Sequence, residues 1–322
     1  MRLKLAAALA SAAVIAIACG LPSPRAEDNG AGALRVCLNE DLPPYSVRHG
    51  EAGIGFDFLI AAALAKRLGR PLAVQWFESK LDEDSSSALE ANALLSDGRC
   101  ELLPGFPLTR DALAKPGFET ARMPDFDGAK AADRRRRVTL GTLAPTRPYH
   151  FAAFTIVLGG KAAERRIGGI GDLDGIPLGI EAGTLGDAIL MSYDHGRLIP
   201  RITHLVPGQG ELLPRLERGD YDATLVALHH LDAYRIEHPD TKLRPTGYYF
   251  PLGFNMGLVG LANAADLIAR ADAALGDTLG DGEAAALARA AHMTYLPPRQ
   301  PYILESISMR DLEGISMRDL AK

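Results

Sequence analysis

A strand–helix–strand alternation occurs twice in this chain, on either side of one long apolar stretch. That order restricts the folds open to it more than any other feature. The first series runs through Leu34–Leu38, a helix from Gly55 to Leu68, Leu72–Phe77, Ala88–Leu95 and Cys100–Phe106. Apolar residues recur at helical spacing in the helices and form short continuous runs in the strands. Gly69 with Pro71 closes the first helix, and Asp97-Gly98 closes the second. The second series runs through Ile176–Ile180, a helix from Thr184 to about Ser192, Ile202–Val206, Leu212–Leu216, Ala223–Val226 and Leu228–Glu237. Such alternation calls for parallel sheets with right-handed crossovers. The 322 residues suffice for two lobes of ordinary size.

Between the two series lies Val138–Gly160, VTLGTLAPTRPYHFAAFTIVLGG. At its centre, Thr146-Arg147-Pro148-Tyr149-His150 sets a cation, a proline and two ring side chains between apolar runs. Proline removes a backbone donor and suits a strand end better than its middle. The segment is expected to cross from one lobe to the other, placing Arg147 and Tyr149 at the cleft, with Tyr248–Val259 as the return. An edge strand with a solvated arginine is the alternative reading. The domain assignment is then residues 34–147 with 248–302 for the first lobe and 148–247 for the second. Residues 115–137 lack a clean period and read as a long excursion or lid. Beyond 302 comes a C-terminal extension in which Ile307–Leu312 recurs as Ile315–Leu320.

The start of the chain sets the expected compartment. Arg2 and Lys4 precede the apolar run Leu5–Ala18, which is shorter than the ~20 residues needed to span a bilayer. Residues 1–18 therefore read as a signal peptide and 19–33 as a flexible leader of an exported, periplasmic protein. Cys19-Gly20 leaves two outcomes open, removal with the leader or lipidation at Cys19. The other two cysteines, Cys37 and Cys100, are expected to be oxidised in such a compartment. Each sits in a short apolar strand, and neighbouring parallel strands lie ~4.8 Å apart, within reach of a disulfide. Two separately buried thiols are the alternative.

Charge and motifs exclude several functions. The net charge is −5, and the only basic run, Arg134–Arg137, reads as a solvated loop, so no nucleic-acid partner is expected. The eight histidines are scattered, and His229-His230 would point different ways on a helix. Asp82-Glu83-Asp84 lacks the spaced ligands of a calcium loop, and Gly183-Thr184 is followed by no phosphate-loop lysine. No metal site and no enzymatic activity are expected. A strand ending at Gly183-Thr184 and entering a helix presents unpaired N–H groups and a positive dipole end, a place for an anion. A plain turn with an N-cap is the other reading.

The order of these parts resembles the type II periplasmic solute-binding proteins of family 3, which serve ABC transporters. The matching pieces are Leu34–Tyr45, Gly55–Leu68, Leu94–Arg110, Arg147–Val157, Ile170–Asp187, Leu212–Val226 and Phe250–Gly260. Within the family, the branch associated with quinoprotein alcohol (methanol) dehydrogenases is similar in Arg35-Val36-Cys37, Gly98-Arg99-Cys100-Glu101, Thr146-Arg147-Pro148-Tyr149, the Trp76 strand end and Tyr295-Leu-Pro-Pro. The resemblance implies an α/β fold of two lobes, each a mostly parallel sheet flanked by helices, with two crossing strands at the hinge. It also implies a role in alcohol oxidation that depends on pyrroloquinoline quinone.

Amino-acid binders of the family use an Arg after the Thr of a first-lobe helix, a Gly-Thr at a second-lobe helix and an Asp after a later strand. Arg110 stands in for the first, one residue closer to Thr109 than usual, and Gly183-Thr184 matches the second. The third place falls near Val226-Ala227 and holds no carboxylate. A buried ammonium without a counter-charge is costly, so a small anion is the expected ligand, held by Arg110, Arg147 and the helix start at Thr184. Tyr45, Trp76, Tyr149 and Phe254 are expected to supply stacking faces. The sequence reading is thus a monomeric accessory protein of a quinoprotein dehydrogenase, with the quinone or the dehydrogenase in the cleft and no covalently bound cofactor. The alternative is the substrate-binding receptor of an ABC transporter for a small polar solute such as an amino acid or organic acid.

Overall fold

Two parallel layers grow from the two alternating series, and two long strands join them. The computed structural model describes residues 32–50, 52–79, 86–114, 117, 119–133 and 136–305. The signal segment, Cys19, Asp82-Glu83-Asp84, Arg134, Arg135 and the tail repeat lie outside the described residues. In chain order the elements are β1 (Leu34–Asn39), β2 (Asp41–Leu42), β3 (Ser46–His49), β4 (Ala52–Ile54), α1 (Phe56–Arg67), β5 (Leu72–Glu78) and α2 (Ser87–Ser96). Next come β6 (Leu103–Pro107), α3 (Arg110–Leu113), β7 (Thr120–Arg122), β8 (Asp125–Phe126) and β9 (Arg137–Thr139). The chain continues through β10 (Leu143–Leu158), β11 (Leu178–Glu181), α4 (Leu185–Ser192), β12 (Ile202–Leu205), α5 (Leu212–Arg218), β13 (Ala223–Ala227) and α6 (Leu228–Glu237). It ends with β14 (Pro245–Leu261), α7 (Ala265–Gly280) and α8 (Glu283–Ala290).

In the first lobe, β1 runs parallel to β5 over six residue pairs, Leu34 opposite Leu72 through Asn39 opposite Phe77. Helix α1 buries Phe56, Ile60, Ala61, Leu64 and Ala65, an i, i+4 stripe that packs on this layer. The same core is completed from the far end of the chain. Leu267, Ile268, Ala271 and Leu275 of α7 and Ala284 and Ala288 of α8 pack against Leu34, Ile60 and Leu64. Cys37 and Cys100 form a disulfide with Cα atoms 5.5 Å apart, inside a neighbouring core with Leu94, Phe106 and Val259. Closing a loop across 63 residues contributes about 4 kcal/mol on the chain-entropy model.

The strand expected over Cys100–Phe106 begins only at Leu103. Leu102 makes one parallel bridge to Val36, and β6 then pairs antiparallel with β14 instead of continuing beside β1. Pro104 and Pro107 lack donors and Gly105 has φ +71°, so this segment cannot sustain a regular inner ladder. The excursion over 115–137 contributes three short strands. β7 pairs with β9, while β8 adds an antiparallel edge to β5.

The second lobe and the hinge share one six-stranded sheet, ordered β12-β11-β13-β10-β14-β6. β11 is parallel to β12 and β13, whereas β10, β14 and β6 pair antiparallel. Strands β10 and β14 run side by side from Leu143 opposite Leu261 to Val157 opposite Pro245. At ~3.3 Å per residue, the 16 residues of β10 are long enough to reach from one lobe into the other. Their shared ladder is the crossing pair anticipated from Val138–Gly160 and Tyr248–Val259. Ile156, Leu158, Phe250 and Leu252 at one end pack with Ile180, Ile189 and Leu225 of the second lobe. Among the described residues, no helix is long and apolar enough to cross a membrane.

Candidate functional site

In open α/β sheets, ligands bind outside the carboxyl ends of the parallel strands. Two cavities occupy that position here. The first, about 510 Å³, opens at the ends of β1 and β5 (Leu38, Asn39, Phe77, Glu78) and is backed by Pro104 and Gly105 of β6. The second, about 380 Å³, lies at the ends of β11 and β13 (Glu181, Val226) and against α6 (His230, Tyr234). Leu42 of the β2–β3 hairpin lines both, so the hairpin stands between them.

The charge of these walls is one-sided. Asp41, Asp57, Glu78 and Glu90 line the first cavity, and Glu181 and Glu237 line the second. No lysine or arginine lines either among the described residues. Asp57 is the most unusual of these carboxylates. It sits in the first turn of α1 between two phenylalanines, is 3% exposed, and its Oδ1 accepts a 2.5 Å hydrogen bond from the Tyr149 hydroxyl. Tyr149 Oη in turn accepts the Gly105 N–H at 2.7 Å. Burial pushes the Asp57 carboxyl up to about 7, against the pull of the Tyr149 hydrogen bond in the other direction. Gly105 must be glycine on two counts. Its φ is +71°, and a Cβ there would stand 2.5 Å from Asp57 Oδ2. Glu90 is also buried, and its Oε2 accepts the Ser79 hydroxyl at 2.5 Å.

The residues expected to hold an anion are engaged elsewhere. Arg110, the first residue of α3, makes a two-pronged pair with Glu305 at 2.5 Å on each arm, exposed to solvent. Arg147 donates through its backbone N–H, Nε and Nη2 to Asp272 of α7, at 2.5, 3.1 and 2.7 Å. That contact ties β10 to α7, and Arg147 lines neither cavity. Thr184 is the N-cap of α4, its hydroxyl accepting the Asp187 N–H, while Gly183 N–H donates to Asp187 Oδ2 at 2.8 Å. Each of the three places chosen for an anion is therefore filled by a carboxylate of the chain itself. The reason is visible only in three dimensions, since Glu305 and Asp272 lie 195 and 125 residues from their partners.

The aromatic candidates also divide. Tyr149 is fully buried in the first-lobe core beside Phe56, and only its hydroxyl reaches the cavity's back wall, through Asp57. Trp76 is 4% exposed and lies parallel to Phe58 with ring centres 6.4 Å apart, a core position. Phe254 is half-buried on β14 opposite Ala152 of β10 and lines neither cavity. Tyr45 sits at the junction of the lobes, with the His150 ring 5.3 Å and the His229 ring 5.1 Å away. Burial lowers both imidazoles, His150 to about 3, so both are neutral, and His150 Nε2 has no hydrogen-bond partner among the described residues.

Solved structures with the same arrangement include the second substrate-binding domain of a putative amino acid ABC transporter from Streptococcus pneumoniae, 16% identical, with a TM-score of 0.58, covering 80% of this chain and 99% of that one. The fold is that of the periplasmic binding proteins. The unliganded, open L-cystine solute receptor of Neisseria gonorrhoeae is 17% identical with a TM-score of 0.59, over 84% of this chain and 97% of that one. Substrate-binding domain 2 of Lactococcus lactis GlnP, also open, is 16% identical with a TM-score of 0.58, over 81% and 94%. No protein-family model and no curated protein sequence matches the chain.

Among the described residues no group of three or more His, Cys, Asp or Glu side chains is disposed to hold a metal ion. The carboxylates of the first cavity are spread over β2, α1, β5 and α2. Asp57, Glu90 and Asp41 were not singled out by the sequence reading. The one signal was Asp57 itself, a carboxylate inside the apolar run Phe56-Asp57-Phe58-Leu59-Ile60.

Proposed function

We propose that this chain is an exported solute receptor whose interlobe cleft takes a small organic cation, an amine-bearing solute, for delivery to a membrane permease. One observation carries the reading. Carboxylates line both cavities at the strand ends with no lysine or arginine beside them among the described residues, while Arg110 and Arg147 are paired with the chain's own acids outside both. A buried carboxylate raised to about 7 gains most from a bound positive charge, which restores its ionised form. The likeness to substrate-binding domains of amino acid transporters supports the receptor role at the level of fold. Export to the periplasm rests on the basic and then apolar start of the chain.

The same carboxylates speak against pyrroloquinoline quinone, a polycarboxylate, as the cleft's ligand. An accessory role toward a quinoprotein dehydrogenase then has no ligand chemistry to support it. Calorimetric titration of the whole chain with arginine, putrescine, glutamate, pyrroloquinoline quinone and a purified quinoprotein dehydrogenase tests the proposal. The expected result is one equivalent of a cationic solute, weakened by Asp57→Asn. An anion that binds more tightly to Asp57→Asn than to the wild type would overturn it, as would binding of the dehydrogenase alone.

A further inference from the structure

A third cavity, about 500 Å³, lies away from the strand ends and shares no lining residue with the other two. Its walls come from both lobes. Arg235 and Ile236 at the end of α6 and Arg244 before β14 form one side; Arg289 near the end of α8 and His292 just after it form the other. Leu231 and Tyr234 root the α6 side in a second-lobe core, and Ala288 and Met293 root the opposite side in the first-lobe core.

The charge here is the reverse of that in the cleft. Three guanidinium groups and an imidazole line the cavity, and among the described residues no carboxylate does. The acidic group facing them from behind is Asp232, whose Oδ1 stands 3.6 Å from Arg235 and whose two oxygens are already taken by the Thr294 hydroxyl and N–H. Arg244 uses Nη1 on the carbonyl oxygens of Thr241 and Leu243, which orders the loop without neutralising it. The Arg289 carbonyl accepts the His292 N–H, while its guanidinium has no ion-pair or hydrogen-bond partner among the described residues. Elsewhere the arginines discussed above, Arg110 and Arg147, each hold a carboxylate. Guanidinium groups match oxyanions with paired N–H donors, and several converging on one concavity raise the local anion concentration.

We infer that this cavity is a binding site for a small oxyanion carrying at least two negative charges, held between Arg235 and Arg244 on one lobe side and Arg289 on the other. It is independent of the cleft proposal, because its walls and charge are separate. Isothermal titration of the whole chain with inorganic pyrophosphate and with citrate, at ionic strength fixed by potassium chloride, tests it. One saturable equivalent of either anion is expected. Arg289→Gln should weaken binding at least tenfold and Arg244→Gln with Arg289→Gln should abolish it, with far-ultraviolet circular dichroism unchanged. Asp57→Asn and the surface variant Arg201→Gln should bind as the wild type does. Absence of saturable binding of both anions overturns the inference. So does unchanged affinity in Arg289→Gln, or an equal loss in Arg201→Gln, which marks general charge screening.

Discussion

Asp57→Asn isolates the energetic consequence of the buried carboxylate. The folded protein holds this carboxyl at about 7 where the ordinary value is 3.8. The folded state therefore binds the proton more tightly than the unfolded chain does. Between pH 3.8 and about 7 the folded form carries more protons, so stability must fall as pH rises through that window. At 1.36 kcal/mol per decade the full difference is about 4 kcal/mol, present as a penalty above pH 7 and absent below pH 3.8. Asparagine keeps an oxygen to accept the Tyr149 hydroxyl but has no proton to lose. His150, lowered to about 3 by burial, acts in the opposite sense, losing stability as pH falls below its ordinary 6.5. It is present in both proteins and cancels in the difference. Urea unfolding of wild type and variant at intervals from pH 4 to 8 gives that difference directly. The variant should gain on the wild type by about 4 kcal/mol across the series. Parallel curves would refute the reasoning, for they would place Asp57 in contact with water.

Gly105→Ala puts a methyl against Asp57 Oδ2 in a left-handed backbone, and a loss of about 2 kcal/mol in urea unfolding is expected; an unchanged midpoint would mean Gly105 is free to relax. Arg147→Ala removes the clamp on Asp272, a half-exposed pair, and should cost about 1 kcal/mol in thermal unfolding while leaving cleft affinity within twofold. A large loss of ligand binding would instead return Arg147 to the site. Reducing the Cys37–Cys100 disulfide, or replacing Cys100→Ser, should lower stability by about 4 kcal/mol, measured as a drop in the denaturation midpoint that reductant no longer deepens in the variant.

The architecture was legible in the sequence because it is written in periodicity. The alternating apolar runs specify the two layers, and the length and composition of Val138–Gly160 specify a strand too long for one lobe. The cysteine in Leu34–Leu38 and the one beside Leu102 mark two segments that lie close together, although only one bridge, Val36 to Leu102, joins them and Cys100 precedes its strand. The site was less legible, because charge partners need not be near in sequence. Arg110 and Arg147 look like free cations until Glu305 and Asp272 arrive from the end of the chain. Asp57 reads as an ordinary first-turn acid complementing a helix dipole, and its buried hydrogen-bond partner, Tyr149, lies 92 residues later. The sequence marks Tyr149 for the cleft; the structure has it present a hydroxyl to that carboxylate from inside the core.

The central claim is that the Asp57 carboxylate serves as counter-charge to a bound cation. Affinity of the cationic solute as a function of pH tests it most directly. If binding requires ionised Asp57, titrating at about 7 in the free protein, affinity should rise about a hundredfold between pH 5 and pH 8 and then level. In Asp57→Asn the profile should be flat over the same range. A flat profile in the wild type, or affinity that falls with rising pH, would contradict the account.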